Sequence, residues 1–242
     1  MSRGSLLTAE ANCVTIGGQA NKKRKSMRPS ALPSRVVAAS QLLEKPAAET
    51  IPTGLAEVDA ALGGLPRGAL TEICGAASSG RTSLLLATLA QTTARLEFSV
   101  LIATTDCFDP ASAAAAGVDL RRLLWVRCGG NVLHALTAAD WLASAGGFGV
   151  IALDLGDLPS EHVRRIPLSS WYRLRRAVEN TPTALVALES EPWAKSCSSL
   201  ILQMSRERIA WRGPLLGGAV VRVERRKPAR TAAVCFEIRA AA

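Results

Sequence analysis

The chain is poor in the groups that build many familiar sites. Among 242 residues there are a single tyrosine, four phenylalanines and two histidines. His134 and His162 are each alone, with no Cys or acid at ligand spacing, so neither is a candidate for metal binding or catalysis. The six cysteines, at 13, 74, 107, 128, 197 and 235, include no close pair at metal spacing. Cys74, Cys107, Cys128 and Cys235 lie in or beside apolar segments, so reduced thiols are expected rather than a disulfide framework. No apolar run approaches the ~18 residues of a membrane span. The start shows no apolar core followed by a cleavage site. A cytoplasmic protein is expected.

Acids are scarce as well: 20 against 29 Lys and Arg, a net charge of +9. The imbalance sits at the two ends. Residues 1–50 carry eight basic and three acidic side chains, a net of +5. Residues 51–200 carry twelve and fourteen, a net of −2, and residues 201–242 nine and three, a net of +6. Such an arrangement suggests basic ends that meet an acidic protein or a nucleic acid.

What is present is an alternation of strands and helices. Residues 1–33 are polar and irregular, carry the run Lys22-Lys-Arg-Lys25, and are expected to form a disordered basic tail. Residues 34–50 read as a short amphipathic helix over 34–45 followed by a linker. From residue 51 helices are predicted at 55–62, 83–96, 111–116, 131–145 and 169–180. Strands are predicted at 69–74, 99–104, 123–127, 149–155 and 183–188. Continuous apolar strands alternating with helices imply an α/β core over 51–198, its mostly parallel sheet covered on both faces. Beyond it, 199–242 reads as a basic antiparallel extension with strands at 200–204, 206–211, 218–225 and 232–239, punctuated by Gly217-Gly218 and Lys227-Pro228.

One stretch carries chemistry. Gly75-Ala76-Ala77-Ser78-Ser79-Gly80-Arg81-Thr82-Ser83 follows an apolar strand and opens a helix. A Gly-x4-Gly-Lys-Ser/Thr loop cradles phosphates with backbone N–H groups, places a lysine on the terminal phosphates and a hydroxyl on Mg²⁺. Here every part is present except the lysine, which is Arg81. Arginine is longer and planar and does not simply replace a compact ammonium. Backbone binding can survive this change, whereas fast hydrolysis is not expected. Thr82 and Asp154, which ends the apolar run from Val150, are the candidate Mg²⁺ side of the site, with Asp154 expected on a strand beside the loop strand. A plain strand-end Asp capping a turn is the competing reading.

The run Ile51-Pro-Thr-Gly-Leu-Ala-Glu-Val-Asp59-Ala-Ala-Leu-Gly63-Gly64-Leu-Pro66-Arg-Gly68 leads into this loop. Together with Phe108-Asp109-Pro110, Gly117-Val-Asp119-Leu and Leu123-Leu124, it resembles the ATPase core of the bacterial RecA family over about residues 51–190. The resemblance implies a RecA-like phosphate-loop fold and an ATP and Mg site. It also exposes departures. The family's water-activating glutamate, four residues before the Asp-Pro pair, is Thr105, with the shorter Asp106 beside it. The tyrosine that stacks on adenine is Ser112, while Asp109 matches an aspartate near the adenine. The glutamine that senses the terminal phosphate has Glu189 and Ser190 at the nearest positions. These losses imply a degenerate ATP site.

Ser170-Trp171-Tyr-Arg-Leu-Arg-Arg-Ala177, Trp211 and Leu216-Gly-Gly-Ala-Val-Val-Arg-Val-Glu-Arg-Arg226 resemble the ImuA family, also labelled SulA-like. That resemblance implies an accessory protein of damage-induced mutagenesis and translesion synthesis. Its implied partners are a Y-family-like polymerase homologue and an error-prone replicative polymerase, with possible contacts to RecA and single-stranded DNA. Arg222, Arg225, Arg226, Lys227 and Arg230 are the candidate nucleic-acid or partner contacts; solvated strand-end charges are the competing reading. Trp171 reads as a core anchor. A divergent DNA-dependent ATPase is the alternative function.

Overall fold

The computed structural model describes residues 49–228 and 233–239. The basic tail, the helix expected at 34–45, most of the linker and Arg230 lie outside the described residues. By its contacts the chain divides into 1–45 and 46–242, and every described residue belongs to the second unit.

Ten strands and six helices are described: β1 Thr50–Ile51, α1 Ala56–Leu62, β2 Leu65–Pro66, β3 Ala69–Gly75, α2 Arg81–Ala94, β4 Phe98–Ala103, α3 Pro110–Ala115, β5 Leu123–Arg127, α4 Val132–Ala145, β6 Phe148–Asp154, α5 Ser160–Arg164, α6 Leu168–Val178, β7 Ala184–Glu189, β8 Leu200–Arg212, β9 Leu215–Lys227 and β10 Ala233–Arg239. Eight strands form one sheet in the order β10-β9-β8-β3-β7-β6-β4-β5, and β1 and β2 make a separate antiparallel pair. From β8 to β5 the neighbours are parallel, while β9 and β10 extend the sheet antiparallel beyond β8. This is the mostly parallel α/β architecture with antiparallel C-terminal strands that the apolar pattern predicts.

Alternating side chains of each central strand feed two cores. Val150 and Ala152 of β6, and Val186 and Leu188 of β7, meet Leu84, Leu85 and Leu89 of α2. Ile151, Leu153, Leu185 and Ala187 point the other way, toward α4, α5 and α6, where Trp171 is almost fully buried. Trp171 is therefore a core side chain. Val221, Val223 and Phe236 of the antiparallel strands join the α2-side core, so this extension is packed rather than appended.

The structure corrects the C-terminal reading. Residues 200–212 form one strand, and the turn to β9 falls at Gly213-Pro214, with Gly213 at φ 60°, whereas Gly217 and Gly218 lie inside β9. Arginines interrupt the apolar residues of this hairpin, and its strands carry register shifts, so periodicity marks its ends poorly. The short helix α5 had no apolar repeat to announce it.

The segment leading into β3 has a physical purpose. Asp59 Oδ1 accepts hydrogen bonds from Thr53 N (2.7 Å) and Thr53 Oγ1 (2.9 Å), and its Oδ2 from Gly54 N (3.1 Å). Thr53 is fully buried, so its two donors have no water to turn to. Asp59→Ala is expected to lower unfolding free energy by ~2 kcal/mol through orphaned donors, read as a lower urea midpoint. An unchanged midpoint would show the bonds to be dispensable.

Candidate functional site

The phosphate-loop residues form a tight connection between β3 and α2. An added Cβ on Gly75 would lie 2.5 Å from Met204 O and 2.5 Å from Ser79 Oγ, so only glycine fits. Ser79 N donates to Ala76 O (3.1 Å), and Ser78 takes the left-handed conformation at φ 60°. Gly80, at φ 91°, starts the 14-residue α2 without a side-chain cap. Its carbonyl accepts from Leu84 N (3.0 Å), which leaves the first-turn N–H groups at the loop face of the helix. Thr82 is exposed and Ser83 half-buried there, while Ser79 is buried with its Oγ unpartnered.

Arg81 does not extend as a free cation. It is only 7% exposed, its Nη2 donates to Gly156 O at 3.3 Å, and its Nη1 has no partner. The guanidinium lies against Gly156, where a Cβ would sit 2.8 Å from Nη1. Asp154 ends β6 half-buried, and its Oδ1 accepts from Gly156 N (3.0 Å). Burial raises the Asp154 carboxyl, opposed by that N–H and by the charge of Arg81. β7 stands between β3 and β6, so Asp154 is one strand removed from the loop strand, a correction to the expectation of direct neighbours. The parallel order is set by crossover packing, which strand composition does not encode.

A cavity of about 560 Å³ opens against the loop. Ser78 and Gly80 to Ser83 border it, but Asp154 and Asp109 do not; the carboxylate present is Asp157. The phosphate end of ATP fits the unpaired helix N–H groups and the Thr82 hydroxyl, while the orphaned Arg81 Nη1 packs against Gly156, which does not border the cavity. Thr82 and Asp157 are the groups on the cavity that could meet Mg²⁺, and Asp154 would act only from behind Gly156.

Other family positions are engaged elsewhere. Asp109 caps α3, accepting from Ala111 N, Ser112 N and Ser112 Oγ, and those bonds, the Ser112 hydroxyl first, hold its carboxyl below the usual range. Asp106 forms a bidentate pair with Arg127 at 2.7 and 2.8 Å, which lowers its pKa. A low-pKa carboxylate locked in a fork is a poor general base. Ser190 Oγ lies 3.2 Å from Ser160 Oγ.

The C-terminal cations do not form one patch. Arg222 and Arg226 are exposed and approach Glu207 (3.9 Å) and Glu224 (3.5 Å). Lys227 Nζ donates to Lys195 O and Ser196 O. Arg222 pairs with Ser205 and Arg225 with Leu202, so these two lie on opposite faces, and a register shift at Arg226 puts Lys227, opposite Ile201, on the other face from Arg225. The charge count concealed this division because it ignores strand period.

Two groupings are not evident from the sequence, although it singles out Trp211 and Glu189 individually. Arg206 and Trp211 of β8 border the loop cavity, brought there by the sheet extension. Beneath the loop, Glu72, Cys74 and Glu189 are fully buried, with potential ligand atoms all within 4.8 Å of one another. Glu72 accepts from Ala194 N (2.7 Å) and from Ser198 Oγ; Glu189 accepts from Trp193 N (3.1 Å). Burial, then the charge of Glu72, pushes the Glu189 carboxyl well up, so a proton there and these bonds account for the cluster. Burial also raises the Cys74 thiol, making it unreactive. A charged residue in an apolar strand was the available signal at Glu72.

The fold and the loop define a phosphate-loop α/β protein. The model of the RecA N-terminal domain matches residues 36–157, and the chain belongs to that family. Similar curated proteins include Protein RecA of Aquifex aeolicus (strain VF5), 32% identical over 60% of this chain and 46% of that protein, and Protein RecA of Bifidobacterium breve, 40% identical over 44% of this chain and 27% of that protein. The chain thus spans less than half the length of these relatives. A crystal structure of the RadB recombinase shares the fold with a TM-score of 0.60 at 17% identity, covering 78% of this chain and 96% of that one.

Proposed function

We propose that this chain is a RecA-like accessory protein of damage-induced mutagenesis and translesion synthesis, an adaptor that binds nucleotide without turning it over. The observation that carries the loss of turnover is Arg81, which keeps the loop's cation buried and fastened to Gly156 O instead of free to follow charge onto a terminal phosphate. Thr105 at the water-activating position and Asp106 tied to Arg127 support the same reading. Membership of the RecA N-terminal domain family supports a role in DNA repair or recombination. The ImuA-like motifs favour a Y-family-like polymerase homologue and an error-prone replicative polymerase as partners, with RecA and single-stranded DNA as further ones.

In mechanism, the helix N-terminus and Thr82 would hold phosphate and Mg²⁺, which supplies charge neutralisation when bound. With Thr105 at the water-activating position and Asp106 tied to Arg127, the family's route for activating water is lost, the bound nucleotide persists and the protein serves as a scaffold. A second reading, a divergent DNA-dependent ATPase, is favoured by the intact geometry of Gly75, Ser78 and Gly80.

Steady-state ATP hydrolysis separates them. Wild type is expected at background with and without single-stranded DNA. Arg81→Lys alone is expected to stay there, because Thr105 still offers no base. DNA-stimulated turnover by wild type would establish the ATPase reading instead.

A further inference from the structure

A second cavity, of about 640 Å³, opens on the side of the sheet covered by α4, α5 and α6 and shares no lining residue with the loop cavity. One wall is the start of α4, with Val132, Leu133 and Leu136; the other is the connection from α5 to α6, with Ile166 and Pro167. Both walls are rooted in the core, Leu136 at 5% and Ile166 at 9% exposure. Ile166 N donates to Val163 O (3.0 Å). Asn131 accepts from Leu133 N (2.9 Å) and His134 N (3.1 Å), so recognition here falls to side chains rather than to the helix start. Those side chains are of two kinds. Leu133 is 70% exposed, an aliphatic group left in water at the rim. Arg165 and His162 are also exposed on the cleft, and neither makes a hydrogen bond or ion pair among the described residues. No carboxylate borders the cleft among the described residues. Its mouth is open at Gly129 and Gly130, where an added Cβ would meet nothing within 4 Å.

We propose that this cleft seats an acidic peptide segment of a partner protein, with an aliphatic side chain between the apolar walls and carboxylates on Arg165 and His162. The walls call for an apolar anchor, and the volume lies in the range of ligand clefts. Two cations with no acid beside them select carboxylates and reject a basic segment. The planar fork of Arg165 suits a carboxylate in particular. Nucleic acid fits less well: no aromatic side chain other than His162 borders the cleft for a base to stack on, and two cations are few for a phosphate chain. The site deepens the adaptor reading and rests on it for the partner's role. Because α2 packs on the other side of the sheet, a peptide held here and a nucleotide at the loop would not compete for side chains.

The test is fluorescence anisotropy of a labelled peptide of alternating leucine and glutamate pairs, titrated with the full chain at about 0.15 M salt, where exposed charges beyond about 8 Å are screened. A peptide with lysine in place of glutamate and a labelled oligothymidylate are the comparisons. Arg165→Glu is expected to weaken binding of the acidic peptide about tenfold or more, and Leu133→Ser about fivefold. Arg164→Glu makes the same charge change on the next residue but borders a different cavity, and is expected to stay within about twofold. Thermal midpoints of the variants should match wild type, because these side chains lie in water. Wild-type affinity in Arg165→Glu or Leu133→Ser, equal weakening in both arginine variants, or no binding of the acidic peptide at millimolar protein each overturns the proposal. So does tighter binding of the lysine peptide or of the oligothymidylate, the latter making this face a nucleic-acid contact. ATP turnover by wild type would overturn the adaptor reading alone and leave the peptide site standing.

Discussion

Glu189→Gln is expected to make the protein more stable at pH 8 and to flatten its stability between pH 5 and 8. Glu189 is fully buried, and burial together with the neighbouring charge of Glu72 lifts its carboxyl well above the ordinary carboxylate range. The folded state therefore keeps a proton that the unfolded chain releases near pH ~4.5. Linkage fixes the sign. As pH rises above the unfolded value, the unfolded state loses its proton first, and folding stability falls until the native group also ionises. Within that window each pH unit costs up to about 1.4 kcal/mol. Glutamine keeps an acceptor for Trp193 N and gains N–H donors toward Glu72 without titrating. Urea midpoints of both proteins at pH 5, 6, 7 and 8 check this: the gap between them should widen in favour of the variant as pH rises. Parallel profiles would mean that Glu189 titrates normally in the fold.

The acid pair also explains how this chain organises the segment after β7. Glu72 of β3 receives Ala194 N and Ser198 Oγ, and Glu189 receives Trp193 N, so two carboxyls pin residues 193–198 from inside the sheet. A buried acid is retained where it satisfies donors that would otherwise be orphaned. The pinned segment leads straight into β8, whose register with β3 places Gly75 opposite Met204. Arg206, two residues on, owes its position beside the loop to this register.

That chain of dependence shows which parts of the molecule could be read in advance. Strands such as Leu123–Arg127 and helices such as Val132–Ala145 declare themselves because their apolar spacing is set by the core each must face. The phosphate loop is legible for a different reason: a strand tip meeting a helix start within a few residues demands glycine at Gly75 and Gly80. The β8 side of the loop cavity was hidden. Arg206 and Trp211 look like ordinary residues of a basic ribbon, and only the pairing of β8 with β3 carries them to the cavity. Asp157 for Asp154 is the same kind of miss. Three residues separate them in sequence, but the turn at Gly156 turns one toward the cavity and lays the other against its wall.

Gly75 is where loop, sheet and hairpin meet, and Gly75→Ala is expected to damage all three. The added methyl would stand 2.5 Å from the Met204 carbonyl oxygen, a backbone atom of the paired strand that cannot rotate away. Relief requires β8 to part from β3 at its loop end, at a cost of about 3 kcal/mol, the upper part of the range for overpacking. Gly63→Ala is the informative comparison. It has open space for a Cβ but a φ of 75°, so it reports the left-handed backbone penalty alone, about 1 kcal/mol. Because Gly75 opens the phosphate loop, Gly75→Ala should also lose Mg·ATP binding, while Gly63→Ala keeps it. Equal urea midpoints for the two variants would show that β8 yields without strain. The loop would then be held by its own turn, and the hairpin would have no hold on it.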